Sequence, residues 1–407
     1  MERSLLTRAL PVLIGTLFLA APAAAQGVPR LDSYDGPTNI QPRLRKDTPE
    51  FRFNWCSPIL LSPHNSKTVF FGGNFLFRSD NRGDTWRIIS PDLTRGKPGP
   101  SAHRGHTITT IAESPLKEGT IYVGTDDGNV MVTQDGGKRW FDLTSTLSGA
   151  PQGGCVSRLE ASRFQENLVY VSIDRHRNDD RAPYLFRSAD AGESWTSLAS
   201  GLPAEGPVYV VREDPRSPEL LYVGTEFGLF FSLDGGSAWH RHPHLPTVPV
   251  HDLAVHPRER ELVIATHGRG IYVMDVTPLQ ELAGSRGNKA VHLCDVKPAR
   301  AQRRSALSSL GVKHYAGTNP SYGAVFGVYL REAPGTPGRL TISNGDGTKV
   351  IELPVAAQGG LQRLVWDLNR EGTDTGEYNP VPSGEYTATL RVGNTTIRKS
   401  FQVAAEE

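Results

Sequence analysis

One eight-residue pattern, Ser/Thr-x-Asp-x-Gly-x-x-Trp, recurs at 79–86, 133–140, 188–195 and 232–239, with Asn in place of Asp in the first copy. The closing tryptophans, Trp86, Trp140, Trp195 and Trp239, lie 54, 55 and 44 residues apart, and they are four of the six in the chain. That period is the length of one four-stranded propeller blade, so the repeat sets the fold class before any other feature is weighed. The copies follow the same order: an alternating apolar strand, a turn that contains Pro in three of the four, a strand ending in Gly-Thr or its equivalent, a short turn and a third strand. Residues 250–273 keep the strands and lack the box, which makes about five blades. The box itself reads as a hairpin turn. Asn81, Asp135, Asp190 and Asp234 accept backbone N–H groups across it, the glycine takes positive φ, and the tryptophan packs between sheets. A catalytic acid is not needed once per blade, so these residues are structural.

The expected organisation is a signal peptide at 1–25, an Asp-box β-propeller at 26–297, a linker at 298–322 and a small immunoglobulin-like β-sandwich at 323–407. The leader reading rests on Arg3 and Arg8, an apolar stretch from Ala9 to Ala21 and the small-residue run Ala23–Ala25, too short for a membrane span. It implies an exported protein, periplasmic or extracellular. The chain has 407 residues with 44 basic and 43 acidic side chains, a balance that argues against nucleic-acid binding. Cys56, Cys155 and Cys294 form an odd set that allows one disulfide at most and matches no zinc spacing. His240, His242 and His244 share one side of an extended segment but lack a carboxylate at fixed spacing, so no metal is expected and no cofactor motif is present.

The boxes, with Phe51-Arg-Phe-Asn-Trp55, Ser90-Pro-Asp-Leu-Thr94, Gly124-Thr-Asp-Asp-Gly128 and Ala265-Thr-His-Gly-Arg-Gly270, resemble secreted bacterial BNR-repeat proteins related to sortilin (VPS10) and xyloglucanase-type propellers. Residues 361–368 and 382–390 resemble the FlgD-type Ig-like domain that follows such propellers. The resemblance implies the fold; it does not imply one activity, because Asp-box propellers include sialidases, endoglucanases, peptide receptors and assembly factors.

Strand order places the turns after each second strand, and the links between blades, on the face opposite the boxes. On that face Asn74, Asp126, Asp127, Asp174, Arg175, His176, Glu226, His267 and Arg269 are expected as exposed turn residues, joined by Arg104 and His106 from a blade link. Such a ring around a polar centre is expected to bind a peptide, protein or polysaccharide. The alternative is a glycoside hydrolase in which Asp126 and Glu226 act as acid and base. Two arrangements of the blades stay open: five blades that close on themselves, with residues 289–296 completing the last, or an open arc that pairs with another chain.

Overall fold

The computed structural model describes residues 39–43, 49–97, 105–284, 289–300, 322–369 and 381–404; the leader region and Arg104 lie outside them. Residues from Pro42 onward form one compact unit. The protein is all-β, a propeller followed by a β-sandwich. Blades 1 to 4 are four-stranded antiparallel sheets whose strands neighbour one another in chain order, and blade 5 has three strands, Val250–His256, Glu261–Thr266 and Ile271–Asp275. Apolar alternation explains the layers. Side chains on one face of a blade pack on the preceding blade and those on the other face pack on the next. Phe70, Leu76 and Ile89 of blade 1 thus meet Ile108, Ile111, Ile121 and Val123 of blade 2. Tyr222 and Leu229 of blade 4 meet Leu253, Leu262 and Ile264 of blade 5.

The four boxes repeat one geometry. In each, the Ser/Thr hydroxyl donates to the carboxylate or amide oxygen two residues on (2.7–3.0 Å) and accepts the glycine N–H (2.7–2.9 Å). The same acidic or amide oxygen accepts the N–H four residues on. Gly83, Gly137, Gly192 and Gly236 sit at φ 94–100°, where a side chain would be strained. The Asp135 and Asp190 carboxyls are held down to about 2, Asp135 chiefly by the Arg139 backbone N–H and Asp190 chiefly by the Ser194 hydroxyl. The tryptophans of blades 2 to 4 also reach back toward the preceding blade: Trp140 Nε1 donates to Ile89 O, Trp195 Nε1 to Thr146 Oγ1, and Trp239 Nε1 to Leu198 O. The boxes of blades 2 to 4 are therefore clamps between neighbouring blades.

Blade 5, without a box, is held differently. After its third strand the chain turns into a short helix, Thr277–Leu282. Gln280 Nε2 donates to both carboxylate oxygens of Asp214 in blade 4, at 3.1 and 2.9 Å.

Residues 289–296 do not complete blade 5. The strand Val291–Leu293 pairs instead with Ala324–Leu330, and Ala299–Arg300 pairs with Thr395–Ala404. Both belong to the sandwich, whose sheets of three and five strands enclose Phe326, Trp366, Tyr386 and Phe401. The three cysteines are free thiols; burial pushes the Cys294 thiol up to about 12.

Candidate functional site

The first strands of blades 2 to 5 carry a register shift at one equivalent residue: Thr109, Ser157, Tyr209 and His251. Such a bulge re-aims the side chain it carries. In blades 2 and 3 the residue is a small hydroxyl that bonds to the next blade's backbone, Thr109 to Val156 O (2.6 Å) and Ser157 to Val208 O (2.8 Å). In blades 4 and 5 the same position holds a ring. Tyr209 stacks on His251 with centroids 4.3 Å apart and planes 14° apart. His251 lies 5.4 Å from His267, and His176 meets Tyr209 edge-on at 6.1 Å.

Two carboxylates flank these rings. Tyr209 Oη donates to Glu226 Oε2 at 2.7 Å, and His176 Nδ1 lies 2.6 Å from Asp174 Oδ2. Burial, the bond to Glu226 and the charges of Glu226 and Asp174 hold the Tyr209 hydroxyl well above its ordinary range. His176, bonded to Asp174, meets the ring of Tyr209, bonded to Glu226, so the two carboxylates flank one pair of rings. Partial burial, then the neighbouring His267, lowers the His251 imidazole below its ordinary value while Glu226 and Asp174 pull the other way. At neutral pH the ring is consequently mostly uncharged. His176, His251, His267 and Arg269 are exposed. Arg175 runs back toward Asp180 (3.9 Å). Beside the rings, Arg212 bonds to Glu160 and Asp252, and Arg158 to Asp252, tying the first strands of blades 3, 4 and 5 together.

The turns of blades 1 and 2 differ from the expected exposed ring. Asn74, Asp126 and Asp127 are buried at 1, 3 and 7% exposure, and in blade 3 Asp174 is buried as well, at 9%. The Asn74 side chain bonds to Arg52 N and Asp92. Asp126 accepts the Thr107 N–H at 2.7 Å. Asp127 accepts the Arg95 N–H at 2.7 Å and lies 3.4 Å from His106, whose Nδ1 also faces Gly96 O. These side chains fasten the loop between blades 1 and 2, because a link that carries backbone N–H groups into a buried turn needs acceptors there. Asp126 is thus walled off from a solvent-borne substrate; Asp174 is buried too but reaches the rings through His176, and Glu226 is the half-exposed carboxylate of this face. Tyr209 and His251 were missed by sequence reasoning because they lie inside strands. Aligning Ile108-Thr109, Val156-Ser157, Val208-Tyr209 and Val250-His251 exposes the change from hydroxyl to ring.

Among the described residues one group, Glu281, His292 and Cys294, brings metal-type donor atoms within 4.8 Å of one another. Its carboxylate is already occupied by His292, Arg260 and the Asp295 N–H, so it stands as an ion pair beside a buried thiol. No described helix is long and apolar enough to cross a membrane.

No family model matches the chain. Among curated proteins, a vacuolar protein sorting/targeting protein 10 of Laccaria bicolor is 31% identical over 133 residues, 30% of this chain and 8% of that protein. A Paenibacillus xyloglucanase is 22% identical over 191 residues, 40% of this chain and 18% of that protein. An oligoxyloglucan-reducing end-specific xyloglucanase of Emericella nidulans is 23% identical over 155 residues, 36% and 18%. Each match therefore spans less than a fifth of the relative. Among solved structures, a GH74 enzyme of Niastella koreensis matches at TM-score 0.44 and 11% identity over 87% of this chain and 54% of that one. The GH74 xyloglucanase from Xanthomonas campestris matches at 0.40 and 11% over 84% and 53%.

Proposed function

We propose that the face formed by blades 3, 4 and 5 binds a segment of a polysaccharide. The observation that carries this reading is the contiguous set of rings, Tyr209 on His251 beside His267, with Glu226 and Asp174 at its margin. Sugar rings present apolar C–H faces to flat side chains and hydroxyl donors at their edges, and carboxylates accept those donors. Tyr209 fixes the orientation of the half-exposed Glu226 and leaves it acceptor capacity for the ligand, while the buried Asp174 orients the exposed His176 ring. The choice of glycan over peptide rests on the two xyloglucanases among the matched proteins. Export, as the segment 1–25 suggests, would bring this face to such polymers.

A second reading, hydrolysis of the bound glycan, is favoured by the two carboxylates that flank the His176–Tyr209 ring pair, Asp174 on the one and Glu226 on the other, since glycosidases work with two carboxylates across the scissile bond. Calorimetric titration with xyloglucan oligosaccharides, run beside an assay for released reducing ends, separates the two. Binding without turnover is expected in the wild type, with affinity about tenfold weaker in Glu226→Gln, the equivalent of ~1.4 kcal/mol. Turnover that falls roughly 10²–10⁴-fold in Glu226→Gln with affinity retained would replace binding by hydrolysis. Absence of binding to any glycan would sink both.

A further inference from the structure

The stack of blades has two ends, and both are apolar. Ile59 in the first strand of blade 1 occupies the register position that Ile111 occupies in blade 2. Ile111 is 8% exposed because blade 1 covers it, whereas Ile59 is 56% exposed and Leu61 beside it 59%. At the other end, Ile271 and Val273 of blade 5 occupy the register positions of Leu229 and Phe231 in blade 4. Leu229 is 1% exposed beneath blade 5, while Ile271 is 66% and Val273 61% exposed. Soluble proteins rarely leave such a face of a sheet in water.

The incoming face of blade 1 is partly covered by its own chain. Phe51 and Phe53 lie edge-on or tilted against Phe71, Phe75 and Phe77. Arg52 anchors this segment to Asp92 and Thr94. Among the described residues the cover stops short of Ile59 and Leu61, and Trp55 beyond it is 97% exposed.

We infer that a second copy of this chain covers both ends, the blade 5 face of each copy docking on the blade 1 face of the other. The argument is continuity with an interface the molecule already makes four times. Every blade offers an apolar outgoing face to an apolar incoming face of the next, and the two uncovered faces are one of each kind at the same register. The contact is head-to-tail, so a single one leaves two faces bare. Two copies that exchange it reciprocally cover all four, whereas exchange that fails to close would grow into filaments.

The full chain is expected to sediment as a dimer at micromolar concentration. Ile271→Asp/Val273→Asp, which spoils the outgoing face, and Ile59→Asp/Leu61→Asp, which spoils the incoming face, should each give a monomer whose circular dichroism matches wild type. Because the contact is head-to-tail, mixing the two variants should restore a heterodimer through the one intact pair of faces. A contact that used the same patch on both copies would not be rescued by mixing. A wild type that remains monomeric up to hundreds of micromolar, or a dimer that survives both pairs of substitutions, overturns the inference. Should either variant fail to fold, Ile271→Ser/Val273→Thr and Ile59→Thr/Leu61→Thr serve instead, with dimer dissociation on dilution as the readout.

Discussion

Asp126 and Glu226 follow the second strands of blades 2 and 4 at one equivalent position, and their backbone N–H groups bond alike, to Thr107 O and to Pro207 O. Their side chains part company. Asp126 folds back onto the Thr107 N–H, whereas Glu226 meets a tyrosine that only blade 4 supplies. Removing the first should therefore act on stability. Asp126→Ala leaves the buried Thr107 N–H without this acceptor, and a loss of about 1–3 kcal/mol is expected in urea unfolding. An unchanged midpoint would mean that the turn is held by other bonds. The turn position and its polarity were legible in the sequence. Which polar residue is buried was not, because that depends on the partner strand and on loops up to 54 residues away, such as the Arg52 contact with His106 O.

Among the elements, the box was the most legible, since its turn geometry is local and each glycine and hydroxyl has one steric or hydrogen-bonding reason to be there. Its role as a clamp was only half legible: a tryptophan predicts packing between sheets, but the acceptor it finds lies in another blade. Trp239, 9% exposed and bonded to Leu198 O at 2.8 Å, is the best-buried of the four box tryptophans. Trp239→Ala should cost roughly 3–5 kcal/mol. Thermal unfolding checks it, and a melting temperature close to wild type would show that blades 3 and 4 stay joined without the clamp. The strand Val291–Leu293 was placed wrongly from sequence for an equally physical reason. Three alternating residues fit any free sheet edge, and only the longer partner Ala324–Leu330 decides which edge they take. The substitute clamp through Gln280 and Asp214 has no sequence signature, because a buried amide–carboxylate pair depends on a helix docking across 66 residues.

At the scale of the whole molecule, the non-box face divides by blade. Blades 1 and 2 use their turns to fasten the chain, and blades 3 to 5 present the His176, His251 and His267 rings and the half-exposed Glu226 to a ligand. The bulge positions change between blades 3 and 4, with Thr109 and Ser157 bonding to the next blade and Tyr209 and His251 stacking on each other. Blades 3 to 5 are also bound together by the Arg158–Asp252–Arg212–Glu160 network. That network gives the ligand-facing half a rigid floor, with each charge paired where removing one partner would be costly. The direct test is titration of xyloglucan oligosaccharides into the triple variant Glu226→Gln/His251→Ala/His267→Ala and, as its control, into Arg95→Ala, an exposed residue on the blade 1 to 2 loop. Binding should fall at least tenfold in the triple variant with the melting temperature nearly unchanged, and should match wild type in Arg95→Ala. Wild-type affinity in the triple variant would contradict the assignment of the ligand face to blades 3 to 5.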